Sequence, residues 1–287
     1  MTWAVCFGEV LWDMLPNGAV PGGAPMNVAF HLNQLGKKAL MISKVGTDEK
    51  GYELIDFMNN NQVPADLIQQ DDNYSTSVVL ATPGQNQEVK YDIVKPVAWD
   101  FIDSTVEARQ AASQADYFIF GSLAARTEHS LRTLFDLLSV AKSKILDINL
   151  RAPHYKQADL ENLLRQADIL KMNEIELDEI SEWYADISLF NDKVRMICDR
   201  YAIPQIIVTK GAAGASYFDG EKFYEHPGFK VKVADTVGSG DAFLAGFLHK
   251  MTDNYTSEET LEFACKLGAY VASKKGACPI YKIEEIL

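Results

Sequence analysis

Cysteine is scarce in this chain, and the spacing of its cysteines indicates neither a metal site nor a disulfide framework. The 287 residues include four cysteines without a CxxC pair and five histidines without an HExxH pattern. Structural zinc and a set of disulfides are therefore not predicted. Free thiols are typical of a reducing compartment, so we expect a cytoplasmic protein.

Positive charge and long apolar runs are also in short supply. The chain has 27 lysines and arginines against 40 acidic residues, which gives a formal net charge of -13. Such a charge repels the phosphates of nucleic acids and of anionic membranes, so we expect neither as a partner. No apolar run reaches the length of about 18 residues that a membrane helix needs. Residues 1–7 also lack the basic stretch of a signal peptide, so export is not expected.

The glycine motifs of two common nucleotide-binding folds are missing. No GxxxxGK[ST] sequence occurs, which excludes a P-loop enzyme. Gly238-Ser239-Gly240 begins like a GxGxxG motif, but Phe243 stands at the third glycine position and no βαβ unit follows. A dinucleotide-binding fold is therefore not favoured.

Short apolar runs alternate with amphipathic helical patterns along most of the chain. Strands are predicted at 2–7, 40–45, 117–120, 144–148, 169–172 and 206–209. Helices are predicted at 25–35, 48–60, 127–141, 157–167, 174–183, 189–202 and 257–274. This alternation predicts an α/β fold whose central, mostly parallel sheet carries helices on both faces. Ligands of such folds lie at the carboxyl ends of the strands.

One region interrupts the alternation. Residues 75–82 and 88–94 are β-rich runs joined by a turn with proline and glycine, and residues 9–14 have strand character. We predict a single domain with a small β-sheet lid, formed from about 9–21 and 74–99. A surface hairpin without a gating role is the alternative. An exposed lid edge would allow a homodimer through the lid.

The stretch 235–248 begins as a glycine-rich turn and continues as an apolar helix. The backbone amides of Gly238, Ser239 and Gly240 can face a ligand unobstructed, and they add to the positive end of the helix dipole. We predict a site for an anion such as phosphate. Asp241 in the first helical turn would accept the proton of a hydroxyl that attacks phosphorus. An ordinary turn followed by a capping acid is the alternative.

Two separate segments resemble the signatures of the ribokinase/PfkB family of sugar kinases. The first is Gly22-Gly23-Ala24-Pro25-Met26-Asn27-Val28-Ala29, with 35–36 and 45–51 after it, and the second is 235–247. They occur in the family's order, roughly 210 residues apart, and the resemblance extends over nearly the whole chain. Residues 8–16 and 147–151 are most similar to the fructokinases of that family.

The resemblance implies a ribokinase-like fold and ATP-dependent phosphorylation of a hydroxyl on a small unphosphorylated sugar, with fructose as the leading acceptor. It places the transferring phosphoryl group at the glycine turn and makes Asp241 the base. The sugar-binding residues that it implies are Asp13, Gly22, Gly23, Asn27 and Arg151. Asp13 would accept hydrogen bonds from two hydroxyls, and Asn27 can donate and accept. Roles as a turn acid, a helix cap and a surface arginine stay open for Asp13, Asn27 and Arg151.

The resemblance also implies a site for ATP with Mg²⁺. The nucleotide-side residues are Asn173, Glu176, Thr209, Gly211 and Gly214. Magnesium keeps several of its waters, so Glu176 would act on it through water rather than directly. A capping box at 173–176 and an ordinary turn at 209–214 are the alternatives. Asp235 is the candidate ligand for a monovalent cation such as K⁺.

Two residues differ from the family pattern, and several other functions are alternatives to a fructokinase. Val237 and Ser239 stand where threonine and alanine are frequent in the family, which leaves dependence on a monovalent cation open. Other acceptors are 2-keto-3-deoxygluconate, ribose and a nucleoside. A non-catalytic sugar- or nucleotide-binding regulator is the rival of another class, but Asp241 and the intact glycine turn favour a kinase.

Overall fold

A computed structural model describes residues 3–15, 18–83, 89–253 and 255–286. Its strands are β1 (Trp3–Phe7), β2 (Leu11–Leu15), β3 (Gly18–Gly22), β4 (Lys38–Gly46), β5 (Ile68–Asp71), β6 (Ser77–Pro83), β7 (Val89–Ile93), β8 (Tyr117–Gly121), β9 (Ser143–Asp147), β10 (Ile169–Asn173), β11 (Gln205–Thr209), β12 (Ala215–Phe218) and β13 (Phe223–His226). Its α-helices are α1 (Ala24–Gln34), α2 (Glu49–Asn60), α3 (Val106–Gln114), α4 (Glu128–Leu138), α5 (Gln157–Leu164), α6 (Glu174–Glu182), α7 (Phe190–Tyr201), α8 (Ser239–Thr252) and α9 (Ser257–Ala272).

A large sheet forms the centre of the molecule. Within the described residues it has nine strands in the order β13-β12-β11-β10-β9-β8-β1-β4-β5. Neighbouring strands are parallel from β11 to β5, and only the edge strands β12 and β13 pair antiparallel. The carboxyl ends of β1, β9, β10 and β11 therefore meet at one edge of the sheet, where ligands of open α/β folds bind.

The parallel strands are buried on both faces, which confirms the predicted α/β class. Along β1, Val5 and Phe7 pack in one apolar layer, whereas Ala4 and Cys6 pack in the other. Side chains alternate across a strand, so a sheet with helices on both faces needs apolar residues at successive positions. Helices α3 to α7 contribute to the first layer, and α1, α2, α8 and α9 contribute to the second.

A second, smaller sheet has the strand order β3-β2-β6-β7. Strands β2 and β6 are parallel, and the other two pairs are antiparallel. Leu11, Val79 and Ile93 are buried against the core of the large sheet. The predicted lid pieces thus form one sheet, although the turn at 84–88 lies outside the described residues. Movement of this sheet over a bound ligand stays a prediction.

The structure differs from the sequence-based elements at several places. The strand predicted at 9–14 begins at Leu11, and Glu9 lies in the loop before it. Strands β5, β12 and β13 and helix α3 were not predicted, and β3 falls within the predicted lid segment 9–21 without having been predicted as a separate strand. Helix α3 buries only alanines, Ala108, Ala111 and Ala112, so its apolar stripe is weak. No helix among the described residues is long and apolar enough to cross a bilayer.

Candidate active site

The glycine turn before α8 has a conformation that requires glycine. Gly238 precedes the helix with φ at 76°. A β-carbon at this position would lie 2.5 Å from the β-carbon of Ala277. Both the positive φ and the close approach exclude a larger residue without strain. The chain therefore enters α8 through a turn that only glycine fits, and Gly240 in the first helical turn lies close to Lys171 of β10.

The amides of this turn are only partly available. The Ser239 amide donates to the Thr236 carbonyl at 3.3 Å, and the Ser239 hydroxyl donates to the same oxygen at 2.9 Å. The amides of Gly238, Gly240 and Asp241 have no acceptor among the described residues. Free amides at a helix N-terminus attract anions. The amides of 238, 240 and 241 are thus available to an anion, while Ser239 stabilises the turn; anion binding at this turn stays a prediction.

Asp241 is held by a side chain from the other end of the sequence. Asn27 of α1 donates from Nδ2 to Asp241 Oδ2 at 2.8 Å, and its Oδ1 accepts from Cys278 Sγ at 3.3 Å. Burial and the nearby Asp147 raise the pKa of Asp241 to about 6, against the opposing effects of Lys171 and Asn27. A carboxyl with this pKa is ionised at neutral pH and accepts a proton more readily than an ordinary aspartate.

Two charged residues next to Asp241 were not assigned a role from the sequence. Asp147 ends β9, and its Oδ2 lies 2.6 Å from the Nζ of Lys171 in β10. Both residues are buried. Burial lowers the pKa of Lys171, but Asp147 and Asp241 more than offset this effect and leave the pKa above its ordinary value. Asp147 lies in the run 147–151 that resembles fructokinases, whereas Lys171 lies in an apolar strand with no local signal.

The residues predicted to bind the sugar lie at the base of the small sheet. Asp13 of β2 is so close to Gly22 of β3 that a β-carbon on Gly22 would lie 2.6 Å from Asp13 Oδ2. Gly23 has φ at 117°, and a β-carbon there would collide with the Glu9 carbonyl. Burial raises the pKa of Asp13 to about 6, and Arg151 opposes this rise. The two glycines therefore let the backbone approach Asp13 and the β1–β2 loop.

Arg151 and Glu9 complete the charged groups around Asp241. Arg151 is exposed and donates from Nη1 to the Leu150 carbonyl at 3.0 Å. Its charge lowers the pKa values of Glu9, Asp13 and Asp241. Glu9 is only 3% exposed, and its Oε2 has no hydrogen-bond partner among the described residues. Only the fold reveals Glu9 as a member of this group.

The Glu176 carboxylate is hydrogen-bonded to backbone amides. Its Oε2 accepts the Asn173 amide at 2.8 Å and its Oε1 accepts the Leu150 amide at 2.8 Å, while the Glu176 amide donates to Asn173 Oδ1 at 2.9 Å. This is the capping box that the sequence left open. Each carboxylate oxygen keeps a second lone pair, so contact with Mg²⁺ through water stays a prediction. Glu176 also ties the 147–151 segment to α6.

The remaining predicted residues lie at the end of β11, in the turn that follows it and in the loop before α8. Thr209 ends β11, and Gly211 and Gly214 begin and close the next turn with φ at 54° and 86°. A β-carbon at Gly214 would collide with the His226 carbonyl. Asp235 accepts the amides of Val237 at 3.0 Å and Gly276 at 3.3 Å, which braces the turn before α8. Nucleotide contacts by the first group and cation binding by Asp235 stay predictions.

No cluster of three or more histidine, cysteine, aspartate or glutamate side chains with the geometry of a metal site occurs in the described part of the chain. Magnesium that arrives with a nucleotide needs few protein ligands, because water and phosphate supply most of its coordination. The unpartnered Oδ1 of Asp147 and the free lone pairs of Glu176 are oxygen ligands of the kind that magnesium prefers.

Comparisons with known proteins show the family to which the chain belongs. Residues 17–283 match the model of the "pfkB family carbohydrate kinase". The chain is 28% identical to fructokinase-2 of Solanum habrochaites over 96% of this chain and 92% of that protein. It is 29% identical to a fructokinase of Solanum tuberosum over 98% of this chain and 92% of that protein.

Solved structures share the fold. A fructokinase double mutant from Vibrio cholerae O395, solved with fructose, ADP and potassium ion bound, superposes with a TM-score of 0.85 at 23% identity over 100% of this chain and 97% of that chain. Aminoimidazole riboside kinase from Salmonella enterica superposes with a TM-score of 0.82 at 23% identity over 99% of this chain and 98% of that chain. Because the family model matches nearly the whole chain, this protein belongs to the pfkB family of carbohydrate kinases, which are phosphotransferases with an alcohol group as acceptor.

Proposed function

We propose that this carbohydrate kinase transfers the γ-phosphoryl group of ATP to a hydroxyl of a small unphosphorylated sugar, with fructose as the acceptor. The observation that carries this proposal is the Asp241 carboxylate, which Asn27 orients beside the free amides of Gly240 and Asp241. A base next to an anion site is the pair of groups that phosphoryl transfer to a hydroxyl requires. The names of the curated relatives support fructose.

The residues divide the reaction between them. Asp13, Asn27 and the backbone at 22–23 hold the sugar so that one hydroxyl points to Asp241. The hydroxyl oxygen attacks the γ-phosphorus, its proton passes to the Asp241 carboxylate, and ADP leaves with the electrons of the broken P–O bond. The amides of the turn stabilise the charge on the transferring group without reorganisation. Closure of the small sheet would exclude water as a competing acceptor.

The nucleotide side uses the neighbouring strand ends. Asn173 and Thr209 end β10 and β11, and Gly211 and Gly214 lie in the turn that follows β11. In this proposal these four residues bind ATP. Magnesium would neutralise phosphate charge, with Glu176 as a ligand through water. Asp235 is the proposed contact for K⁺, and the potassium-bound fructokinase of Vibrio cholerae supports a monovalent cation in this fold.

A panel of sugars in an ADP-release assay tests the proposal. Fructose should give the highest kcat/KM, and ribose, 2-keto-3-deoxygluconate and a nucleoside should give lower values. The substitution Asp241→Asn should lower kcat at least about 100-fold and leave sugar and nucleotide binding largely intact, because it removes only the base. Asp66→Asn, at an exposed loop position, is the matched control and should retain wild-type kcat.

The alternatives give different results in the same assay. A higher kcat/KM with another sugar would make that sugar, rather than fructose, the acceptor of this kinase. Nucleotide binding without turnover of any sugar would favour a non-catalytic regulator. Wild-type turnover in Asp241→Asn would reject the role of the base.

We also propose a homodimer through the small sheet. Met14 and Val78 lie on the face of β2 and β6 opposite Leu11 and Val79 and are partly exposed, and Leu80 beside them is 39% exposed. Trp12 on the same face packs against the apolar layer of α1 and α2. An exposed apolar row on a sheet is typical of an interface. Light scattering should give twice the mass of 32.0 kDa, and Leu80→Glu should give the monomer. A wild-type monomer at assay concentration would remove the proposal.

The four cysteines are all unpaired, which supports a reducing compartment such as the cytoplasm.

A further inference from the structure

A buried ion pair lies directly beneath the glycine turn, and the proposed reaction uses neither of its members. Asp147 and Lys171 face each other in the parallel register of β9 and β10. Their charged atoms are 2.6 Å apart, and the residues are only 4% and 7% exposed. All other positions of β10 before Asn173 are buried and apolar.

A pair of this kind is weak evidence for stability. Moving two charges out of water costs several kcal/mol for each ion, and well-packed apolar side chains often stabilise a core equally well. One oxygen of the pair is also unused: Asp147 Oδ1 is buried and has no partner among the described residues. A purely structural pair would be expected to satisfy both oxygens. This open oxygen is an acceptor, so it is available to a hydrogen-bond donor or a cation and not to a phosphoryl group, which only the ammonium group of Lys171 could contact.

The ammonium group of Lys171 lies against the anion site. Its Nζ is 3.4 Å from the position that a β-carbon on Gly240 would occupy. Lysine has three N–H donors, and the ion pair with Asp147 uses one of them. The other two have no acceptor among the described residues, and the amides of Gly240 and Asp241 are likewise free. An anion bound to these amides would lie within reach of the ammonium group.

We propose that Lys171 is a catalytic residue that contacts the phosphoryl group during its transfer, and that Asp147 is a positioning residue that holds the ammonium group under Gly240. This inference rests on the proposed function and extends it. As the new P–O bond forms and the bond to ADP breaks, negative charge on the phosphoryl oxygens is stabilised by a fixed cation. The proton of the sugar hydroxyl goes to Asp241, and Lys171 keeps its own protons throughout.

The same geometry couples the pair to the base. Asp147 raises the pKa of Asp241 and Lys171 lowers it. The other charged or titratable groups around this carboxyl are Glu9 after β1, Arg151 after β9 and Cys278 beside Asn27. The acid limb is the pH range in which kcat/KM falls as Asp241 gains a proton. Removal of either member of the pair should therefore shift this acid limb, and the two shifts should have opposite signs.

The test compares Lys171→Met, Lys171→Arg and Asp147→Asn with the wild type in steady-state assays across pH 5 to 9. Lys171→Met should lower kcat about 100-fold with the KM for sugar nearly unchanged, because the cation acts on the transition state. It should also move the acid limb of kcat/KM to higher pH. Asp147→Asn should lower kcat and move the acid limb to lower pH, and Lys171→Arg should restore the acid limb to the wild-type position.

Lys44→Met is the matched control. Lys44 of β4 is also a buried cation, but it pairs with Asp71 and Asp103, outside the glycine turn. Its loss should lower stability and leave the acid limb in place. If Lys171→Met changes kcat less than about 3-fold, or if the acid limbs of Lys171→Met and Asp147→Asn shift in the same direction, the inference is wrong.

A binding measurement separates this inference from the proposed function. Calorimetry with a non-hydrolysable ATP analogue and with ADP needs no sugar and no turnover. The wild type should bind the analogue more tightly relative to ADP than Lys171→Met does, because only the analogue carries a γ-phosphoryl group. If no sugar is phosphorylated but this difference persists, the proposed acceptor fails and the contact of Lys171 stands. If the wild type phosphorylates the sugar but Lys171→Met leaves the ratio of the two affinities unchanged, the contact of Lys171 is wrong and the proposed function stands.

Discussion

The buried carboxyl of Glu9 gives the sharpest prediction about stability. Burial raises its pKa from 4.5 to about 7, against the opposing effects of its own backbone amide and Arg151. In the unfolded chain this glutamate loses its proton near pH 4.5, whereas the folded protein keeps the proton until about pH 7. The folded state therefore binds more protons in this window, and the contribution of Glu9 to stability falls as pH rises.

The size of the effect follows from the two pKa values. Each pH unit between them is worth about 1.4 kcal/mol, so ionised Glu9 lowers the free energy of unfolding by on the order of 3 kcal/mol above pH 7. The substitution Glu9→Gln keeps the shape of the side chain and cannot ionise. Relative to the wild type, this variant should gain on the order of 3 kcal/mol between pH 4.5 and pH 8.

Urea unfolding of both proteins at pH 4.5, 6, 7 and 8, without nucleotide, measures this difference. Titrating groups that do not interact with Glu9 contribute equally to both proteins and cancel. Glu53→Gln on the exposed side of α2 is the control and should change stability by less than about 0.5 kcal/mol at every pH. A difference between Glu9→Gln and the wild type that does not vary with pH would refute the reasoning, because Glu9 would then be ionised in the folded protein throughout.

Three further predictions concern the turn, the base and the core. The kcat/KM of the wild type should fall below about pH 6 as Asp241 gains a proton, which a pH profile with non-ionising sugars will show. Gly238→Ala should lower the free energy of unfolding, measured in urea, by about 1–3 kcal/mol, because the alanine would have a positive φ and would clash with Ala277. An unchanged free energy of unfolding would contradict the turn geometry. Arg126→Met should lower the free energy of unfolding by about 3–5 kcal/mol, because it leaves the buried carboxylate of Asp100 without its cation. Arg132→Met, which removes only a surface pair with Glu128, should lower it by less than about 1 kcal/mol.

The elements that the sequence predicted well are those with a strong local pattern. The apolar runs that became β8 to β11 were recognised because parallel strands are buried on both faces. Helix α8 and its glycine turn were recognised because Gly238 and Asp241 lie only three positions apart in the chain. The weak elements were missed for the opposite reason: β12 and β13 have four residues each, and α3 buries only alanine.

The predicted site residues gained neighbours that the sequence could not name. Glu176 was expected near magnesium, and the structure shows that both of its carboxylate oxygens accept backbone amides. Ser239 was expected in the anion site, and its amide donates to the Thr236 carbonyl instead. Lys171 carried no local signal, and the only signal of Glu9 was its place in the run 8–16 that resembles fructokinases. A charged residue in or after an apolar strand acquires a role only from what the fold places beside it.

The sequence by itself determined the covalently adjacent parts of this protein: the alternation that leads to a parallel sheet, and a flexible turn followed immediately by an acid. Only the tertiary structure decided which distant groups surround that acid. Asn27 reaches Asp241 across 214 positions of the chain because α1 and α8 pack on the same face of the sheet. Asp147 meets Lys171 because β9 and β10 pair in one register. Such contacts depend on packing over the whole domain, so no local pattern encodes them.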